Sequence, residues 1–105
     1  MQEHRESLRL KLSDLASLEL SKALAVYGSF KNEHEAYAVL KEEVEECEDE
    51  LRIINKQLEE IWACVKQDDN IDIWAESLGN TALRLSQEAI QVVAMCRKIK
   101  LMGGK

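Results

Sequence analysis

A chain of 105 residues with no proline and only four glycines has the size of one domain and the composition of packed helices. Its net charge of -6 is local: seven carboxylates fall between Glu42 and Glu50, and removing those seven negative charges leaves +1 for the rest. No basic stripe with interleaved aromatics marks a nucleic-acid surface, and no apolar run approaches the roughly 20 residues of a membrane span.

The first helix is predicted from about Arg5 to Tyr27, with Leu8, Leu12, Leu15, Leu20, Leu24 and Tyr27 on a broad apolar face. Gly28 is placed to end it as a C-terminal cap. Asn32 with Glu35 three residues on has the spacing of a capping box, so a second helix opens at Glu33 and continues to Lys66. Along it Tyr37, Leu40, Val44, Cys47, Leu51, Ile54, Leu58, Ile61 and Val65 recur at alternating steps of three and four. A seam of that kind would run for roughly 50 Å. Three helices of one chain cannot cover it, so a partner chain is expected. The polar turn from Gln67 to Asn70 leads into a third helix, about 71–101. There Ile71, Trp74, Leu78, Ala82, Leu85, Val92, Met95, Cys96 and Ile99 face a core, and Gly79-Asn80 marks a kink or break. The tail is expected to fray after Met102.

The expected fold class is therefore all-α, a single domain over residues 1–105. Three long helices form an antiparallel bundle completed by oligomerisation. The polar start, Met1 to Leu8, and the lack of a span point to a soluble, cytoplasmic chain. Cys47, Cys64 and Cys96 have neither disulfide-framework nor zinc spacing, which suits free thiols in the helix packing.

The acidic run raises a question of self-repulsion. At 100° per residue Glu43, Glu46 and Glu50 fall on one flank of the second helix, a flank that carries Ala36 and Val39 before them and Ile53 after. Glu42, Glu45 and Asp49 point further out, and Glu48 lies on the opposite flank. Like charges three or four apart cost roughly 0.2–0.5 kcal/mol each on an exposed helix. The third helix has a matching anomaly: Glu88 occupies a seam position between Leu85 and Val92. A carboxylate in an apolar stripe needs an ion partner or a metal. Glu43, Glu46 and Glu88 would together make an all-oxygen pocket suited to Mg²⁺ or Mn²⁺. The competing account is a solvated, glutamate-rich coiled-coil face.

With both acidic motifs in view, the chain resembles the MazG-like branch of the all-α nucleoside triphosphate pyrophosphohydrolases, and in particular its short, phage-associated members. "EEVEE" corresponds to the family's Glu-x-x-Glu pair, with Glu43 and Glu46 in the ligand places, and "EAIQVVAM" to its later Glu-x-x-Asp pair. Glu88 takes the glutamate place, but Gln91 stands where aspartate is usual. Forty-one residues separate Glu46 from Glu88, more than in compact members. The resemblance covers residues 28–100. It implies an all-α fold and Mg²⁺-dependent hydrolysis of a nucleoside triphosphate between its α and β phosphates, giving the monophosphate and pyrophosphate. On that basis Glu43, Glu46 and Glu88 are the metal ligands, and Glu50 or Glu42 takes the proton of the attacking water.

Gln91 and the basic residues Lys41, Arg84, Arg97 and Lys98 are candidates for contact with phosphates, or are surface charges that balance the acidic run. Trp62 and Trp74 either stack on a base or pack in the core. His34, in the first turn of its helix, is local structure. The expected assembly is a homodimer or homotetramer, and the expected partner a nucleoside triphosphate, not nucleic acid or membrane. The alternative function is a catalytically weak or inactive module that oligomerises or binds nucleotide without turnover, a reading that Gln91 encourages.

Overall fold

The computed structural model describes residues 2–102. These form three helices and no strand: α1 Gln2–Tyr27, α2 Glu33–Lys66 and α3 Asp72–Leu101. The fraying expected after Met102 falls outside the described residues. No described helix is long and apolar enough to cross a membrane.

Local chemistry sets the boundaries. α1 starts three residues earlier than its apolar pattern, since a polar stretch with Glu3 in the first turn suits the positive end of a helix. Gly28 ends it at φ 69°, donating its N–H to the Leu24 carbonyl at 2.9 Å, the left-handed cap that glycine adopts without a Cβ penalty. Asn32 caps α2, its side chain accepting from the Glu35 N–H at 2.9 Å. The Glu35 carboxylate closes the loop one residue further back than a capping box requires, on the Lys31 N–H at 3.1 Å. Between α2 and α3, Asp68 takes a positive φ of 56° and Asn70 accepts from the Asp72 N–H at 2.7 Å. The expected break at Gly79-Asn80 does not occur, and α3 runs straight through. A single glycine costs a helix only about 1 kcal/mol. Packing around Thr81, fully buried with its hydroxyl bonded to the Ser77 carbonyl at 3.1 Å, holds the turn together.

α3 is the centre of the fold. α2 packs along it and α1 packs on it, while α1 and α2 do not meet. Contacts pair Glu50 with Arg84 and bring Glu46 to Glu88, so α2 and α3 form an antiparallel hairpin. The three helices do not close into a bundle. The core is small: Phe30, Ala36, Ala94 and Met95, with Leu20, Ala23, Val39, Leu40 and Ile99 around them. On α1 only the C-terminal part of the leucine face that the sequence suggests is packed, with Leu20 and Leu24 half-buried. Leu8, Leu12, Leu15 and Tyr27 are exposed, whereas Ala16 is buried and Leu20 and Ala23 are half-buried. Small residues allow α1 to approach α3, and Arg97 fastens it by donating to the Ser13 carbonyl at 2.9 Å and the Ser17 hydroxyl at 3.0 Å.

The long seam of α2 divides into two. Leu40, Cys47, Ile54 and Ile61 are half-buried. Tyr37, Val44, Leu51, Leu58 and Val65, one heptad apart, are 41–65% exposed. Trp62 stands outside the core, 59% exposed beneath Lys66, whereas Trp74 is half-buried. Among the thiols only Cys47 and Cys64 are half-buried, and Cys96 is exposed; all three are free.

Candidate functional site

The inner carboxylates of α2 meet the stray carboxylate of α3. Glu43, Glu46 and Glu88 are each half-buried, and one carboxylate oxygen of each lies within 4.8 Å of the others. Glu43 and Glu46, one turn apart on α2, lie on the flank that faces α3, and the antiparallel hairpin brings Glu88 opposite them. Glu42, Glu45, Glu48 and Asp49 are exposed.

Crowding shows in the protonation of the site. A hydrogen bond that its protonated form donates to Glu46, then burial, then the charges of Glu46, Glu43 and Glu50 push the Glu88 carboxyl up to about 7. Burial, followed by the charges of Glu46 and Glu42, raises Glu43 as well. Burial first, and then Glu88 and the neighbouring acids, lift the Cys47 thiol above its ordinary value. Near neutral pH Glu88 therefore keeps part of its proton, shared with Glu46 through the hydrogen bond between them, and a divalent cation could take its place. All three donors are hard oxygens whose present spacing needs only small side-chain shifts to close on an ion of Mg²⁺ or Mn²⁺ size. The donor set fits such a cation, and no histidine or thiolate that would favour zinc belongs to it.

The other candidates from the sequence are distributed unevenly. Glu50 is held across the hairpin by Arg84, whose Nε donates to its two carboxylate oxygens at 3.1 and 3.3 Å, and Arg84 also reaches the Thr81 hydroxyl at 3.0 Å. Lys41 pairs with Glu45 one turn along, on the exposed side of α2. Arg97 is occupied by Ser13 and Ser17. Gln91 donates from Nε2 to Glu19 Oε1 of α1 at 2.6 Å, and this bond is the main reason that Glu19 stays below the ordinary carboxylate range. Glu42 remains exposed at the edge of a cavity beside Glu43.

That cavity, of about 510 Å³, runs from Glu42 and Glu43 past Val39, Gln91 and Met95 to Tyr27, Phe30 and Lys98. Sequence reasoning found both of its charged ends but missed Glu19 as the partner of Gln91, and Tyr27 and Phe30 as the neighbours of Lys98. The available signal for Glu19 was its place beside Ala16, Leu20 and Ala23, the small-residue stripe of α1. Phe30 gave none, since the turn that carries it has no periodicity. Comparison with protein-family models, with curated proteins and with solved structures finds no match.

Proposed function

We propose that the chain is a Mg²⁺-dependent nucleotide pyrophosphohydrolase that cleaves a ribo- or deoxyribonucleoside triphosphate to the monophosphate and pyrophosphate, with Mn²⁺ an acceptable substitute. The observation that carries this reading is the convergence of Glu88, a carboxylate in an apolar stripe, on Glu43 and Glu46, with Glu43 also lining an open cavity. A coiled-coil surface gives no reason for that convergence, because solvated acids gain nothing from meeting between two helices.

In this mechanism Glu43, Glu46 and Glu88 would hold the cation. When bound, the cation neutralises phosphate oxygens and acidifies the attacking water. Of the two candidate bases Glu42 is the better placed. Glu50 has both carboxylate oxygens engaged by Arg84, while Glu42 stands exposed beside Glu43. The water oxygen bonds to the α phosphorus, its proton passes to Glu42, and the bond to the bridging oxygen breaks with pyrophosphate taking the electron pair. Arg84 fixes Glu50 and leaves the three ligands facing one another.

The working unit is a homodimer, and the exposed half of the α2 seam is its interface. The chain exposes 8084 Å², against about 6,000 Å² for a compact monomer of 12.0 kDa. Its radius of gyration is 17.7 Å, against about 13 Å for a compact domain of this length. The excess surface, about 2,000 Å², is more than the roughly 800 Å² that each partner contributes to a standard interface. Pairing is antiparallel about Leu51, setting Tyr37 against Val65 and Val44 against Leu58; a parallel pair would stack the acidic segment on itself. Three free thiols suit a reducing, cytoplasmic setting.

A second reading, a module that binds nucleotide or oligomerises without turnover, is favoured by one observation: Gln91 is spent on Glu19 and adds no ligand to the cluster. Pyrophosphate release from a panel of nucleoside triphosphates, with and without Mg²⁺, separates the two. Release that needs Mg²⁺ and disappears in a Glu43→Gln, Glu46→Gln double variant supports the hydrolase. No release from any triphosphate leaves the binding module.

A further inference from the structure

Lys98 is 5% exposed and has no carboxylate partner among the described residues. Charged lysines are almost never buried unpaired. Its ammonium instead sits over the Phe30 ring, 4.1 Å from the centroid, and 6.0 Å from that of Tyr27. The ring faces favour the charge without neutralising it. Lys98 lines the cavity, and the turn residues Ser29 and Lys31 lie at the same end. The cavity carries Glu42 and Glu43 at one end and Lys98 and Lys31 at the other, where Glu35 also lines it with its carboxylate turned to the Lys31 N–H at 3.1 Å.

The three other basic candidates are committed: Lys41 to Glu45, Arg84 to Glu50, Arg97 to Ser13 and Ser17. Lys98 alone among the four faces the cavity with its positive charge unmatched. Ten residues separate it from Glu88 on α3, about 15 Å along the axis at the standard rise. A helical side chain leans back toward the N-terminus, so the ammonium lies on the carboxylate side of its own Cα. Glu43 of the acidic cluster and Lys98 line the same cavity, so a chain of linked phosphates in it could meet both.

We infer that the Lys98 end of the cavity, with Ser29 and Lys31, is a receptor for the outer phosphates of a polyphosphate ligand, the part that leaves as pyrophosphate. This rests on the hydrolase reading for the position of the innermost phosphate, but the receptor itself binds an anion whether or not turnover follows. Lys98 provides charge-assisted donors to phosphate oxygens and transfers no proton.

The test is calorimetric titration of inorganic pyrophosphate into the full chain, with and without Mg²⁺. The wild type is compared with Lys98→Met, Lys98→Gln, Lys98→Arg and the Glu43→Gln, Glu46→Gln double variant, and the folding of each is checked by circular dichroism. Lys98→Met keeps the unbranched stem over Phe30, and Lys98→Gln is a second neutral change should the first perturb packing. Expected is pyrophosphate binding that weakens about tenfold or more in both neutral variants and is retained within a few-fold in Lys98→Arg. Unchanged affinity in the folded neutral variants, or no binding by the wild type under either condition, overturns the inference. Binding that depends on Lys98 in a protein that hydrolyses no triphosphate upholds this receptor and removes the hydrolase. Mg²⁺-dependent turnover with pyrophosphate binding indifferent to Lys98 does the reverse.

Discussion

Glu88→Gln is the sharpest test of the shared-proton site. Glutamine has nearly the same shape and can still donate to Glu46, but it carries no charge. In the wild type Glu88 titrates at about 7, whereas in the unfolded chain it titrates near an ordinary value of about 4.3. The folded state therefore binds the extra proton between those values. Its contribution to stability is complete below about pH 4.3 and disappears as pH rises through about 7. At about 1.36 kcal/mol per pKa unit the ceiling is roughly 3.5–4 kcal/mol, and solvent screening of a half-exposed cluster reduces it to about 1–2 kcal/mol. For a domain of this size that corresponds to about 5–15 °C in Tm. Thermal unfolding between pH 5 and 8 in the absence of divalent cations should show the wild type losing Tm as pH rises, with a visibly flatter profile for Glu88→Gln. At pH 8, millimolar Mg²⁺ should raise the wild-type Tm and leave the variant nearly unmoved. Equal pH slopes in the two proteins would refute the shared proton, and an equal Mg²⁺ effect would refute Glu88 as a ligand.

Two further outcomes are expected. Leu51→Glu together with Leu58→Glu places charges on the exposed heptad of α2, so sedimentation at tens of micromolar should show a dimer for the wild type and a monomer for the variant; a monomeric wild type removes the interface. Gln91→Asp sets a carboxylate against Glu19 and should cost about 1–3 kcal/mol in chemical denaturation. Combining it with Glu19→Gln should recover most of that loss, and a single variant as stable as the wild type would mean that the contact between α1 and α3 contributes nothing.

The helices themselves were legible because their signals are local and redundant. The nine-residue seam of α2, the Asn32 cap and the glycine stop at residue 28 each act within one or two turns, and they agree. Orientation around the helix axis was equally accessible, which is why the inner acids, Glu43 and Glu46, could be separated from Glu42, Glu45 and Asp49. The break at Gly79 failed for the opposite reason. A glycine's local cost of about 1 kcal/mol is small beside the packing of a 30-residue helix against two neighbours.

Periodicity says which side of a helix is apolar, but not which half of that side meets its own chain. Tertiary packing alone decided that Leu40, Cys47, Ile54 and Ile61 face α3 while the alternate heptad positions stay open. It also decided that α1 packs through Ala16, Leu20 and Ala23 while Leu8, Leu12 and Leu15 stay exposed, since close approach depends on the shape of the opposing helix. The fates of the charged residues were decided in the same way. Sequence treats Lys41, Arg84, Arg97 and Lys98 as equals, and only their three-dimensional neighbours show that three are committed and one is buried against aromatic rings beside a cavity. A pairing across helices depends on distances between residues far apart in the chain, such as Glu19 with Gln91 or Glu50 with Arg84. Those distances are set when the helices dock, and no short stretch of sequence contains them.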